Sequence, residues 1–150
     1  MTHRLPALLT ALLAAVCAAA AGETPAPRIE ATDWEGGSLV CAAWRKDDPQ
    51  DAAPVWTGLP AAVAPFGMRG YVGIDGATRP LRQIAYSRRG TELAIHYRTL
   101  GERAYDVRLD LSASAAEGGM SGALTVSRFG VETTAPLRAV CAGGELPKAQ

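Results

Sequence analysis

Arg79-Pro80-Leu81-Arg82-Gln83-Ile84-Ala85-Tyr86, a turn at Ser87 to Gly90, then Thr91-Glu92-Leu93-Ala94-Ile95-His96-Tyr97-Arg98: this stretch decides the fold. A second turn, Thr99 to Arg103, leads into Ala104-Tyr105-Asp106-Val107-Arg108-Leu109-Asp110-Leu111. Leu93, Ile95 and Tyr97 fall on one side of the alternation, and so do Tyr105, Val107, Leu109 and Leu111. His96, Arg98, Asp106, Arg108 and Asp110 fill the other side. A period of two, interrupted by turn residues, is the pattern of antiparallel strands with one wet face.

The same reading extends in both directions. Upstream, Gly70-Tyr71-Val72-Gly73-Ile74 is a short strand, and Asp75-Gly76 after it suits a tight hairpin turn because both positions tolerate positive φ. Pro80 cannot donate a ladder hydrogen bond, so it belongs at a strand start or an edge. Downstream, Ser112 to Ser121 reads as a loop. Gly122 to Arg128 and Glu132 to Cys141 form a last hairpin turning near Phe129-Gly130, and the tail after Ala142 is loose. Leu39-Val40-Cys41-Ala42-Ala43-Trp44 is the first strand. The count is seven to eight strands and no helix: an all-β antiparallel meander, as a small barrel or sandwich.

The stretch 45–69 is the least regular. Arg45 to Asp51 is a solvated turn by composition, and the prolines at 49, 54, 60 and 65 exclude a regular helix or a central strand. Loops of this length are often lids. The reading preferred here is a plug, with Val55, Trp56, Leu59, Val63 and Phe66 closing one end of the barrel.

The first 21 residues are an address. His3 and Arg4 give a positive start, Leu5 to Ala21 is almost wholly apolar, and Ala19 and Ala21 satisfy the small-x-small cleavage rule of a signal peptide. The alternatives are a retained anchor, for which the apolar run is short, and a lipoprotein acylated on Cys17, for which Val16 is the wrong preceding residue. Residues 22–37, rich in Pro, Ala, Glu and Thr, read as a flexible lead-in. Residues 38–150 read as a single β domain. The expected location is the periplasm or the exterior.

Fifteen Lys and Arg are balanced by fifteen Asp and Glu, so global charge names no nucleic-acid or membrane partner. No second apolar stretch could span a membrane. Two cysteines survive cleavage, Cys41 and Cys141, and export makes one disulfide between them the default. In the chain-entropy model so long a loop is worth about 4–5 kcal/mol. Such a bridge also brings the first and last strands together, as in a closed barrel or a compact sandwich.

No zinc spacing, phosphate-cradling loop or dinucleotide fingerprint is present, and no cofactor or metal is expected. Gly119-Met120-Ser121-Gly122-Ala123 is similar to the Gly-x-Ser-Gly segment around the nucleophile of trypsin-like proteases, and His96 and Asp106 or Asp110 precede it in a matching order. That family resembles two packed barrels, which a chain of this length cannot hold, so a serine hydrolase using Ser121 is disfavoured. His96, the sole histidine after cleavage, reads as an exposed strand residue, and the Asp106/Asp110 pair as cross-strand charge pairing.

The expectation is therefore an exported non-catalytic domain of bacterial type that binds a ligand or a protein partner. Trp44, Trp56, Phe66 and Tyr71 are the candidate aromatic rim. Arg79, Arg82, Arg88, Arg89, Arg98 and Arg103 are the candidate anion patch, because Arg suits bidentate contact with carboxylate or phosphate. The other interpretation of these arginines is that they keep strand edges soluble. An alternative function is inhibition of a secreted hydrolase: Ser121-Gly122 is similar to the Ser-Gly opening of a loop in small disulfide-tied barrels that block lysozyme. The tyrosine expected shortly after it is missing.

Overall fold

A computed structural model of the chain describes residues 22–33, 41–58, 68–114 and 119–141. The signal segment 1–21 with Cys17, the residues Trp34, Leu39 and Val40, the loop residues Leu59, Val63 and Phe66, and the tail after Cys141 lie outside the described residues.

The described residues form nine strands: β1 (Ile29–Glu30), β2 (Cys41–Arg45), β3 (Trp56–Gly58), β4 (Met68–Ile74), β5 (Ala77–Arg89), β6 (Glu92–Thr99), β7 (Asp106–Ser114), β8 (Gly119–Arg128) and β9 (Val131–Cys141). β2 to β9 follow one another as an antiparallel meander, and β9 pairs back onto β2, closing an eight-stranded barrel. β1 is the extra strand, laid along β4 with Ile29 opposite Ile74. The barrel interior is the core. Trp56, Tyr97, Leu81, Ile95, Leu109 and Leu124 are all fully buried there. An eight-stranded barrel is just wide enough for side chains to fill.

Local chemistry explains the turns. Asp75 and Gly76 both have positive φ (51° and 75°), as a two-residue hairpin demands. Phe129 and Gly130 take the same conformation (51° and 76°). The turn expected at Ser87–Gly90 is narrower: β5 continues to Arg89, and the chain reverses at Gly90–Thr91. Pro80 lies inside β5, but the Pro80 carbonyl accepts from Leu100 N–H, just beyond the end of β6. Its nitrogen, with no hydrogen to donate, lies on that same side, at the point where the β5–β6 ladder ends.

The loop expected at Ser112–Ser121 is shorter too, since β7 runs to Ser114 and β8 begins at Gly119. Two larger features depart from the sequence expectation. The stretch 45–69 does contain a central strand. β3 is only three residues long, and its backbone is paired on both sides, by β2 and by β4. Pro54 precedes it and so costs it no ladder bond. The other departure is a bulge in β5 between Gln83 and Ala85, which leaves Ile84 unpaired and exposed. Before it the even-numbered residues of β5 face out; after it the odd-numbered ones do, because one extra residue reverses the parity.

Within the 22–37 lead-in, residues 27–33 lie across one end of the barrel. Ile29 is buried. Arg28 N–H donates to Asp75 Oδ1 (2.8 Å), Asp75 N–H donates to the Arg28 carbonyl, and Asp33 N–H donates to Thr78 Oγ1 (2.8 Å). At the other end Cys41 and Cys141 stand directly opposite each other on β2 and β9 and are joined by a disulfide.

Candidate functional site

Among the described residues three regions could carry chemistry: the lumen, the strapped end and the outer wall. The lumen is filled. Its polar atoms include Trp56 Nε1 and Gln83 Oε1, both buried without a hydrogen-bond partner among the described residues. The Trp56 and Tyr97 rings lie 6.4 Å apart.

The strapped end centres on Tyr105. Its ring is buried between the Arg79 and Arg128 guanidiniums, at 4.9 and 5.3 Å from the centroid. Its hydroxyl donates to Asp75 Oδ2 (2.7 Å). Burial opposes ionisation of Asp75. Hydrogen bonds from Arg28 N–H and the Tyr105 hydroxyl, with the Arg28 and Arg79 charges, outweigh it and hold the carboxyl below its ordinary value. This network was not visible in the sequence, because its members are 28, 75, 79, 105 and 128, and no local spacing links them.

The outer wall of β5–β8 is built from rows of residues paired across the strands. The first row is Arg82, Arg98, Asp106 and Ser127; the second Ala85, His96, Arg108 and Thr125. The third is Ser87, Ala94, Asp110 and Ala123; the fourth Arg89, Glu92, Ser112 and Ser121. The third row is mostly short, and long side chains stand on either side of it. The result is an open groove of about 450 Å³, with Ser87, Ala94 and Ala123 low in it and Arg89, Glu92 and Arg108 along its sides. A smaller hollow of about 150 Å³ continues it past Ala85 to His96. Two of the wall's cations are already held: Arg98 donates to Asp106 Oδ1 from Nε (3.1 Å) and Nη2 (3.0 Å), and Arg108 pairs with Asp110 at 2.8 Å.

The structure separates the candidate arginines. Arg82, Arg89 and Arg98 share the outer wall. Arg88, half-buried, is on the inward side opposite Leu93, and its Nε donates to the Gly90 carbonyl (3.2 Å). Arg79 belongs to the Tyr105 end, where its Nε donates to the Ile74 carbonyl (3.3 Å), and Arg103 is exposed in the β6–β7 turn.

The candidate aromatics are separated too. Trp56 is fully buried in the lumen. Trp44 is half-buried on the outside, where its Nε1 donates to the Ala52 carbonyl (2.8 Å) and Arg138 stacks on it. Tyr71 is half-buried on β4, opposite Thr57 and Pro80. Phe66 lies outside the described residues.

Ser121 sits in the fourth row on β8 and His96 in the second row on β6. Two strands and two rows put them roughly 15 Å apart on sheet geometry. Among the described residues no group of three or more His, Cys, Asp or Glu is placed to hold a metal ion, and no helix is long and apolar enough to cross a membrane. The groove was half legible. Alternation gave the outward faces, but the row that makes it depends on register across four strands. Compared with protein-family models, curated proteins and solved structures, the chain has no significant match.

Proposed function

We propose that this chain is an exported, non-catalytic binding protein that meets its ligand or protein partner on the outer wall of β5–β8. One observation carries the reading: the described lumen is packed with side chains, while the wall presents an open groove with charged sides. Binding sites are concave and carry a few placed polar groups, and this groove is the larger of the two hollows described above. The apolar leader and the Cys41–Cys141 disulfide support export to an oxidising compartment. The distance between His96 and Ser121 supports a role without nucleophilic catalysis, since a base must reach its nucleophile.

Filling the groove tests this. The mature protein is purified from an oxidising periplasm and weighed under native conditions, beside Ala94→Trp and Ala123→Trp. The expected result is a retained ligand or partner on the parent protein, lost from both variants while circular dichroism and Tm stay unchanged. Retention by both variants overturns the site. Labelling of Ser121 by an active-site serine probe overturns the non-catalytic reading. Inhibition of a muramidase by the parent protein, but not by the two variants, identifies the partner as a secreted hydrolase.

A further inference from the structure

We infer that the groove takes an extended acidic segment of a partner protein, gripped at its two ends by Arg82 and Arg89. The inference rests on the outer wall being the recognition surface and adds the chemistry of what it recognises. Four guanidiniums and three carboxylates stand on the first, second and fourth rows and the Asp110 position: Arg82, Arg89, Arg98 and Arg108 against Glu92, Asp106 and Asp110. Arg98 is turned to Asp106 and Arg108 to Asp110. The guanidiniums of Arg82 and Arg89 have no ion pair or hydrogen bond among the described residues. Arg82 instead faces Arg98 directly across the ladder, a like-charge pairing that an incoming anion relieves. Glu92 is opposite Arg89 in register without closing an ion pair among the described residues.

The bulge makes this arrangement. Seven positions separate Arg82 from Arg89, and an unbroken strand would send them to opposite faces. With Ile84 looped out they share the outer wall, about 20 Å apart along β5. Between them lie Ala85, Ser87 and Ala94, short side chains over which a backbone can pass.

The charge order selects the occupant. Free cations mark the two ends, and Asp110 lies between the end rows, with Glu92 beside Arg89. A glycan charged on every sugar would set anions against those carboxylates. It would also find no Trp, Tyr or Phe ring on these rows to stack on. A peptide with carboxylates at both ends and neutral residues between them matches the order, and Arg binds carboxylate bidentately.

The test uses the mature, disulfide-bonded protein and two labelled synthetic peptides of the same composition, each of about eight residues, enough to span the gap when extended. One carries its glutamates at the two ends, the other in the middle. Fluorescence anisotropy should show the end-charged peptide binding about tenfold tighter than its isomer. Arg82→Ala and Arg89→Ala should each remove that preference, and Arg103→Ala, in the β6–β7 turn and not on the rows of the wall, should leave it intact. Equal affinity for the two peptides, or an equal loss with Arg103→Ala, overturns the inference. If neither peptide binds but a sulfated oligosaccharide does, and Arg89→Ala abolishes it, the acidic-segment inference falls while the wall remains the binding surface. If no anion binds in a manner that Arg82 or Arg89 affects, and Ala94→Trp costs the protein no ligand, both fall.

Discussion

Gly122 is bare because its neighbours leave no room. A Cβ at that position would overlap the Asp110 carbonyl and crowd Leu111 Cα, all of it backbone on β7. β7 and β8 are pinched together there, on the groove side of the barrel. Gly90 is bare for another reason: it holds φ at 59° with open space around it. The two glycines should therefore respond differently to alanine. Gly90→Ala should cost about 1 kcal/mol, the ordinary penalty of a left-handed alanine. Gly122→Ala should cost about 3 kcal/mol, because two paired strands must separate to admit it. Urea midpoints of the two variants check the order, and equal midpoints would mean that β7 yields easily. The local sequence puts Gly90 in a turn and Gly122 in a strand, but it does not show how closely a neighbour approaches either. The difference lies in which strand comes alongside.

At the scale of the element, the segment 27–33 and the β4–β5 hairpin form one unit. β1 is too short to hold itself, and it is kept by side-chain and backbone bonds that converge on the Asp75–Gly76 turn. Asp75 serves both as a turn residue with positive φ and as the acceptor for Arg28 and Tyr105. Because its carboxyl is held below the ordinary value in the folded protein, it binds a proton less readily there than in the unfolded chain. Its stabilisation is complete above the unfolded value near 4, at roughly pH 5 and higher, and is lost as the pH falls through the folded value. Asp75→Asn keeps a residue that tolerates the turn and removes the charge. It should lower Tm at pH 7, and the gap to the parent protein should close progressively below about pH 4. A gap that stays constant from pH 7 to pH 3 would show that the carboxylate charge contributes nothing. Amide exchange of Ile29 and Thr32 should quicken in the same variant. Composition alone suggested a flexible lead-in; proline- and alanine-rich sequence does not reveal which distant turn will accept it.

For the whole molecule, closure is the central fact. β9 returns to β2 over five paired residues, and the Cys41–Cys141 bridge fastens the end of that seam. A closed barrel has no free edges, which removes the usual route to strand-by-strand aggregation. The paired variant Cys41→Ala/Cys141→Ala keeps the ladder but loses a link spanning 100 residues of chain. It should be less stable by about 2–5 kcal/mol in denaturant titration. Reduction of the parent protein should give the same loss. A variant as stable as its parent would mean that the β2–β9 ladder alone closes the barrel.

Fold class, the inward faces of β6 and β7 and the disulfide were legible in the chain's own pattern. Strand alternation and turn residues are local, and two cysteines allow one intramolecular pairing. Leu93, Ile95, Tyr97, Val107 and Leu109 are buried as their alternation requires. The tertiary structure alone decided what lies beside what. It made Trp56–Gly58 a central strand among prolines, because ladder partners were available on both sides. It sent Trp56 into the lumen and Trp44 to the outside. It also split the arginines, since one unpaired residue at Ile84 reverses parity for the rest of β5 and brings Arg82 and Arg89 onto the same wall. A bulge is a property of the pair, two residues of one strand set against one of its partner, so the residues around Ile84 do not reveal it without β6 alongside.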